Sequence, residues 1–249
     1  MSALLARVPE FFVANFPSLP ALLVGGPLGL AWSFAALGFA GWLKRRGVRT
    51  GYTRKTFHFL IFGTVAALQG LGGTPAVCLF GAMCSLTVFF AVWRGRGNLF
   101  YEAMAREKDE PHRTHFILVP YFTTLVGGLA SSLLFGPLAI AGFLVAGLVV
   151  AYGEPVGARF GKHRYRVFSR AAVPATRSLE GSAAVCLASA CALALAVAAS
   201  PQLALGALGW YKIAAIAVIS ALTEAISPHG WDNATMQVVP TALAWLWLA

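Results

Sequence analysis

Residues 115–152, HFILVPYFTTLVGGLASSLLFGPLAIAGFLVAGLVVAY, contain no Asp, Glu, Lys or Arg. A helix that crosses a bilayer needs roughly 20 mostly apolar residues. The run therefore holds two spans, read as 115–135 and 136–152. Working outward, further apolar segments lie at 20–43, 57–72, 73–93, 181–199, 209–227 and 233–249. The fold class that follows is an all-α, polytopic integral membrane protein with about eight transmembrane helices in one domain, 1–249. Residues 4–17 mix Leu, Phe and Val with Arg7, Glu10 and Asn15, the pattern of a short interfacial helix.

Composition agrees. Of 249 residues, 58% are hydrophobic and only 11% charged, with a mean hydropathy of +0.72. Soluble domains carry about 25% charged residues. An ordinary soluble enzyme, a disordered chain and a nucleic-acid-binding module are excluded on this ground. Cys78, Cys84, Cys186 and Cys191 sit inside apolar runs, form no CxxC pair and read as small packing residues. The N-terminus has no long apolar core and no obvious cleavage site, so no removable signal peptide is expected. The 26 glycines fit closely packed membrane helices, and no internal repeat is visible.

The net charge is +10. Lys44, Arg45, Arg46, Arg49, Arg54 and Lys55 lie between the first two spans. Arg94, Arg96, Arg106, Lys108 and Arg113 lie in 94–113. Arg159, Lys162, Arg164, Arg166, Arg170 and Arg177 lie in 153–180. With eight crossings these loops share one face, which the positive-inside rule makes cytoplasmic. Arg7 and Lys212 fall on the other face, and both termini are expected outside. The 94–113 loop also carries Glu102, Glu107, Asp109 and Glu110, and reads as a solvated connector with local ion pairs.

Four constellations carry candidate chemistry. At 100° per residue, Arg54, Lys55 and His58 share one arc of a helix near its N-terminus, which fits a phosphate site. A basic lipid anchor explains the first two equally well. Gly153, Glu154, Gly157, Arg159, Gly161 and Lys162 read as a Gly-containing basic loop beside a carboxylate, the start of a cytoplasmic nucleotide-binding loop over 153–180, as a nucleotide–Mg²⁺ site requires. The competing reading of its glycines is helix packing. Arg177, Ser178, Glu180, Gly181 and Ser182 open the sixth span, either as an ordinary cap or as phosphate and metal ligands. Glu224, Asp232 and Asn233 come last, with His229 solvated or in support. A carboxylate inside an apolar run needs a cation, a metal or a polar cavity. All four constellations fall at the cytoplasmic face, which points to metal-assisted phosphoryl or nucleotidyl transfer at the membrane surface.

Together these residues resemble the CTP-dependent isoprenoid-alcohol kinases: dolichol kinase, phytol kinase and prokaryotic polyprenol kinases, with CTP-dependent diacylglycerol kinase nearby. Arg54-Lys55-x-x-His58 matches the family's R-K-x-x-H. Gly153-Glu154-Pro155 through Gly157, Gly161 and Lys162 matches its G-D/E-P/A loop. Arg177-Ser178-x-Glu180-Gly181-Ser182 matches its K/R-S/T-x-E-G-S/T, and Glu224 with Asp232-Asn233 its late carboxylate and D-N pair. Relatives usually have Asp at the position of Glu154 and often Lys at that of Arg177.

The resemblance implies transfer of the γ-phosphate of CTP to a membrane lipid alcohol, giving a lipid monophosphate and CDP. Asp232, Glu154 and His58 are the expected catalytic residues. Glu154, Glu180, Glu224 and Asp232 are the expected Mg²⁺ ligands. Arg54, Lys55, Gly153, Gly157, Arg159, Gly161, Lys162, Arg177, Ser178, Gly181, Ser182 and Asn233 are expected around nucleotide and phosphate. A cytidylyltransferase acting on a lipid phosphate, using CTP from the same side, is the neighbouring alternative. A transporter without chemistry is the more distant one, since transporters place their polar residues near the midplane.

Overall fold

The computed structural model describes residues 2–169, 175–206 and 208–249. Arg170 of the basic 153–180 stretch lies outside them. About 81% of the protein is helical. The order is α1 (Ser2–Ala14), a π-helical turn (Ala21–Gly25), α2 (Gly26–Arg45), α3 (Thr50–Arg94), α4 (Leu99–Met104), α5 (His115–Phe135), α6 (Ala139–Phe160), β1 (Arg164–Val167), β2 (Ala175–Ser178), α7 (Leu179–Ala199), α8 (Gly209–Ile226) and α9 (Asp232–Leu248). The strands pair antiparallel, Arg164 opposite Ser178 and Val167 opposite Ala175. This small ribbon is the exception to an otherwise all-α fold.

Among the described residues, five helical segments are long and apolar enough to cross a bilayer: Ala21–Arg45, Thr50–Arg94, His115–Phe160, Leu179–Ala199 and Gly209–Ile226. Two of these are 45 and 46 residues long, about 68 Å if straight and twice the roughly 30 Å hydrocarbon thickness. Each is broken by a glycine. Gly73 takes φ 66°, ψ −166°, which a side chain disfavours, and Pro75 beyond it removes an N–H. Phe57, Ile61 and Val65 before the break face one cavity with Val88, Cys84 and Val77 after it. The two halves of α3 thus run as a hairpin. Gly136 at φ 56° ends α5, and Pro137 opens the turn to α6.

Two buried clusters form the core. One gathers Phe143, Val145 and Val149 of α6, Val185 and Leu193 of α7, Ile216 of α8 and Met236 of α9. The other gathers Leu37 of α2, Phe57 and Val88 of α3, Tyr101 and Met104 of α4 and Ile117 of α5. Leu71, Trp93, Leu187 and Ile226 face outward, as lipid-facing side chains do.

Two expectations change. The 153–162 stretch is not a loop, because α6 continues to Phe160 and turns Gly153, Glu154 and Gly157 into helical residues. Close packing on α7 overrides the weak helix propensity of Gly and Pro there. The 94–113 segment is not a solvated connector. Tyr101, Arg106, Asp109 and Arg113 are buried in it, and the Thr53 hydroxyl donates to Ala103 O at 2.8 Å.

Candidate active site at the head of an apolar cavity

The site begins with the first turns of α3. Arg49, in extended conformation, caps the helix that starts at Thr50, and Arg54, Lys55 and His58 follow within two turns. All three line one cavity of about 400 Å³. Lys55 Nζ lies 3.1 Å from Glu154 Oε2 on α6. Arg54 donates to Phe116 O at 2.9 Å and has no carboxylate partner among the described residues. His58 Nε2 is 3.2 Å from Ala146 O, so it carries the proton in that bond. The ring also stacks on Phe62, with centroids 4.3 Å apart. This satisfies a ring buried one turn into a span and gives His58 a structural partner on α6.

Glu154 is the hub. Its Oε1 also meets Arg106 Nη1 at 3.2 Å and Lys108 Nζ at 3.4 Å. Arg106 is held by Asp109 through Nε at 2.8 Å and Nη2 at 3.1 Å, the two-pronged grip that a planar guanidinium allows. Its Nη2 also lies 2.9 Å from His229 Nε2. Arginine only donates, so His229 accepts there and its other nitrogen carries the proton. Burial, and then the charge of Arg106, push the His229 pKa down to about 4, in keeping with a neutral ring. Arg106 itself is raised: burial opposes this, but Glu154 and Asp109 outweigh it.

Arg106 and Asp109 are the members of this cluster that sequence reasoning missed, while His229, expected solvated or in support, pairs with Arg106. The signals were the i, i+3 spacing of Arg106 and Asp109 and the apolar Ala103–Ala105 run before them. Neither signal named Glu154 or His229 as a partner.

The third arm is Arg177, the penultimate residue of β2. Its Nε lies 2.8 Å from Glu224 Oε1 and its Nη2 3.4 Å from Asp232 Oδ2, while Nη1 donates to Ser227 O at 3.2 Å. Asp232 opens α9 and lines the cavity with Glu154, Arg54, Lys55, Arg106, His229 and Asn233. The helix is set by glycines on both neighbours. A Cβ on Gly127 of α5 would stand 2.7 Å from Ala234 Cα, and one on Gly142 of α6 would overlap the Gln237 carbonyl. Asn233 then donates to Pro120 O at 3.0 Å and Thr124 Oγ1 at 2.9 Å.

Other predicted residues stand elsewhere. Glu180 is not on the cavity; it accepts from His163 Nδ1 at 2.8 Å and from its backbone N–H. It therefore stands apart from Glu154 and Asp232, which line the cavity. The glycine stripe packs helices. A Cβ on Gly153 would come 2.6 Å from Val185 Cγ2, one on Gly157 3.0 Å from Ser178 Oγ and one on Gly181 3.0 Å from Gly153 O, while one on Gly161 would strike Gly157 O. These four glycines therefore serve the α6–α7 contact rather than a phosphate-binding loop. Ser178 caps α7, accepting from Gly181 N at 3.1 Å. Ser182 bonds Tyr165 Oη at 2.7 Å. Arg159 and Lys162 are exposed, with Arg159 over the Phe160 ring.

Below the charged head the cavity is lined mainly by apolar side chains, among them Phe57, Ile61, Phe62, Val65, Val77, Val88, Leu125, Leu129 and Phe143. From Arg54 to Val65 it extends along 11 residues of helix, about 16 Å. Cys78 and Cys84 also line it, and all four cysteines are free.

Among the described residues no three His, Cys, Asp or Glu side chains gather as a ligand set. Mg²⁺ is commonly held by only one or two carboxylates plus substrate phosphates. Glu154 and Asp232, facing one cavity beside three cations, fit that role. No protein-family model, no curated protein and no solved structure matches this chain.

Proposed function

We propose that this protein is a membrane phosphotransferase that moves the γ-phosphate of CTP onto a lipid alcohol. The observation that carries the reading is one cavity with two chemistries. Its head holds Arg54, Lys55 and Arg106 with Glu154 and Asp232, and its body is apolar. A triphosphate requires the first, and a lipid tail the second.

Phosphoryl transfer depends on positioning and charge neutralisation. Among the described residues Arg54 has no carboxylate partner, which leaves it ready for a phosphate oxygen. Lys55 and Arg106 exchange Glu154 for phosphate, which frees Glu154 as a metal ligand. Glu154 and Asp232 would hold Mg²⁺, whose chemistry when bound is to neutralise the phosphates. The alcohol oxygen attacks the γ-phosphorus, the bond from that phosphorus to the β–γ bridging oxygen breaks, and CDP leaves. The hydroxyl proton passes to the Asp232 carboxylate, which Arg177 orients. His58 and His229 hold α6 and Arg106 in place. The reading includes eight crossings, with the hairpin breaks at Gly73 and Gly136 and the 17-residue helix α9 supplying the three extra spans, the cavity head at the cytoplasmic face and both termini outside.

Purified protein given CTP labelled at either the γ or the α phosphate, with a panel of lipid alcohols, tests this. Label in the lipid from γ alone is expected. Label from α instead indicates cytidylyl transfer, and label from neither removes the activity.

A further inference from the structure

The wall between the charged head and the apolar body carries a feature that phosphate binding does not use. Gln237 sits one turn beyond Asn233 on α9, and both line the cavity while being 1% and 7% exposed. The Gln237 amide nitrogen donates to Thr124 O at 3.0 Å and Asn233 O at 2.7 Å. The Asn233 nitrogen donates to Pro120 O and Thr124 Oγ1. Carbonyl oxygens only accept, so these partners fix which end of each amide is nitrogen.

The two amide oxygens, Asn233 Oδ1 and Gln237 Oε1, are left without a donor among the described residues. Neither is among the fully buried atoms without a partner, so each keeps some exposure in the cavity its residue lines, where a donor can reach it. Space is kept in front of the deeper one: a Cβ on Gly128, itself on the cavity wall, would stand 3.1 Å from Gln237 Oε1.

We infer that Asn233 and Gln237 form an acceptor-only shelf that selects a lipid whose polar end is a hydroxyl donor, with Gln237 the specificity residue. The inference rests on reading the cavity as the acceptor-lipid site. An alcohol brings one O–H, which Gln237 Oε1 accepts on binding before the same proton turns to Asp232 for transfer. A lipid monophosphate, largely ionised at neutral pH, presents acceptors to acceptors, and an ether of the same length has nothing to donate. The shelf thus sorts the acceptor lipid, while the cations above it hold the nucleotide.

The test is displacement of tritiated hexadecanol from full-length protein in phosphatidylcholine nanodiscs, by unlabelled hexadecanol or its methyl ether. For wild type the ether is expected to compete about 10-fold more weakly, the scale of one buried hydrogen bond. Gln237→Met removes the acceptor, and Gly128→Ala covers it while leaving Gln237 in place. Either is expected to weaken hexadecanol about 10-fold, to the level of the ether. Equal competition by ether and alcohol on wild type, or preserved discrimination in a variant that melts like wild type, overturns the inference. Discrimination without transfer from γ-labelled CTP contradicts the phosphotransferase reading and leaves the shelf standing. Transfer without discrimination does the reverse.

Discussion

Arg106 concentrates the electrostatics of the site in one side chain. It is 6% exposed and binds Asp109, Glu154 and His229 at once. Removing one partner of a buried charge pair strands the other, at a cost of about 3–5 kcal/mol. Arg106→Gln is therefore expected to lower thermal stability by about that amount, read as a loss of melting midpoint in detergent, while Arg106→Lys restores part of it. His229 supplies a pH signature. Below about pH 6.5 the unfolded chain takes up its proton, but the folded ring resists until about 4. Stability is thus flat above that window and falls as pH drops through it. Melting measured from pH 7 to 4 checks this, and His229→Gln is expected to flatten the slope. At this scale the sequence was legible where spacing within a helix decides the outcome. Arg54, Lys55 and His58 share a face because the period is 3.6 residues, and they do line one cavity. The Arg106–Glu154 bond joins residues 48 apart, and no local pattern encodes it. Glu180 stands in the first turn of α7, where a carboxylate is favoured whatever else it does, and its partner there is the nearby His163.

Elements place these residues by how closely helices approach. Gly142 lets α6 lie against the backbone of α9 at Gln237, whereas a Cβ on Gly63 of α3 would meet nothing within 4 Å. Gly142→Ala is expected to separate the two helices and cost about 1–3 kcal/mol as an overpacked contact. Gly63→Ala is expected to be neutral or slightly stabilising, and paired melting curves distinguish the two. The apolar runs announced most helices, and the division between 57–72 and 73–93 falls where Gly73 breaks α3. The extension of α6 through Gly153 and Pro155 to Phe160 was hidden, because those residue types favour loops until a neighbouring helix packs on them. The β1–β2 ribbon was hidden too. It sits in a basic, weakly patterned stretch, and its far end ties to the site when His229 N–H donates to Phe168 O at 2.9 Å.

At the scale of the whole molecule, the membrane character was plain from composition, since 11% charged residues cannot cover a soluble protein of this size. How the charges converge was not. Two apolar cores, one mainly on α6–α9 and one on α2–α5, leave a cavity between them, and its head collects charges from four separate segments: α3, the 94–113 segment, α6 and α9. The central claim is that this head accepts CTP from the cytoplasm and phosphorylates a lipid lying below it. Transfer of γ-label from CTP to hexadecanol in sealed vesicles of known orientation tests that claim most directly. Labelled lipid is expected when CTP reaches the cytoplasmic face, none when it is confined to the other face, and a drop of at least about 100-fold for Asp232→Asn, the low end of a general base's contribution. Transfer from the opposite face, or undiminished transfer by Asp232→Asn, would contradict it.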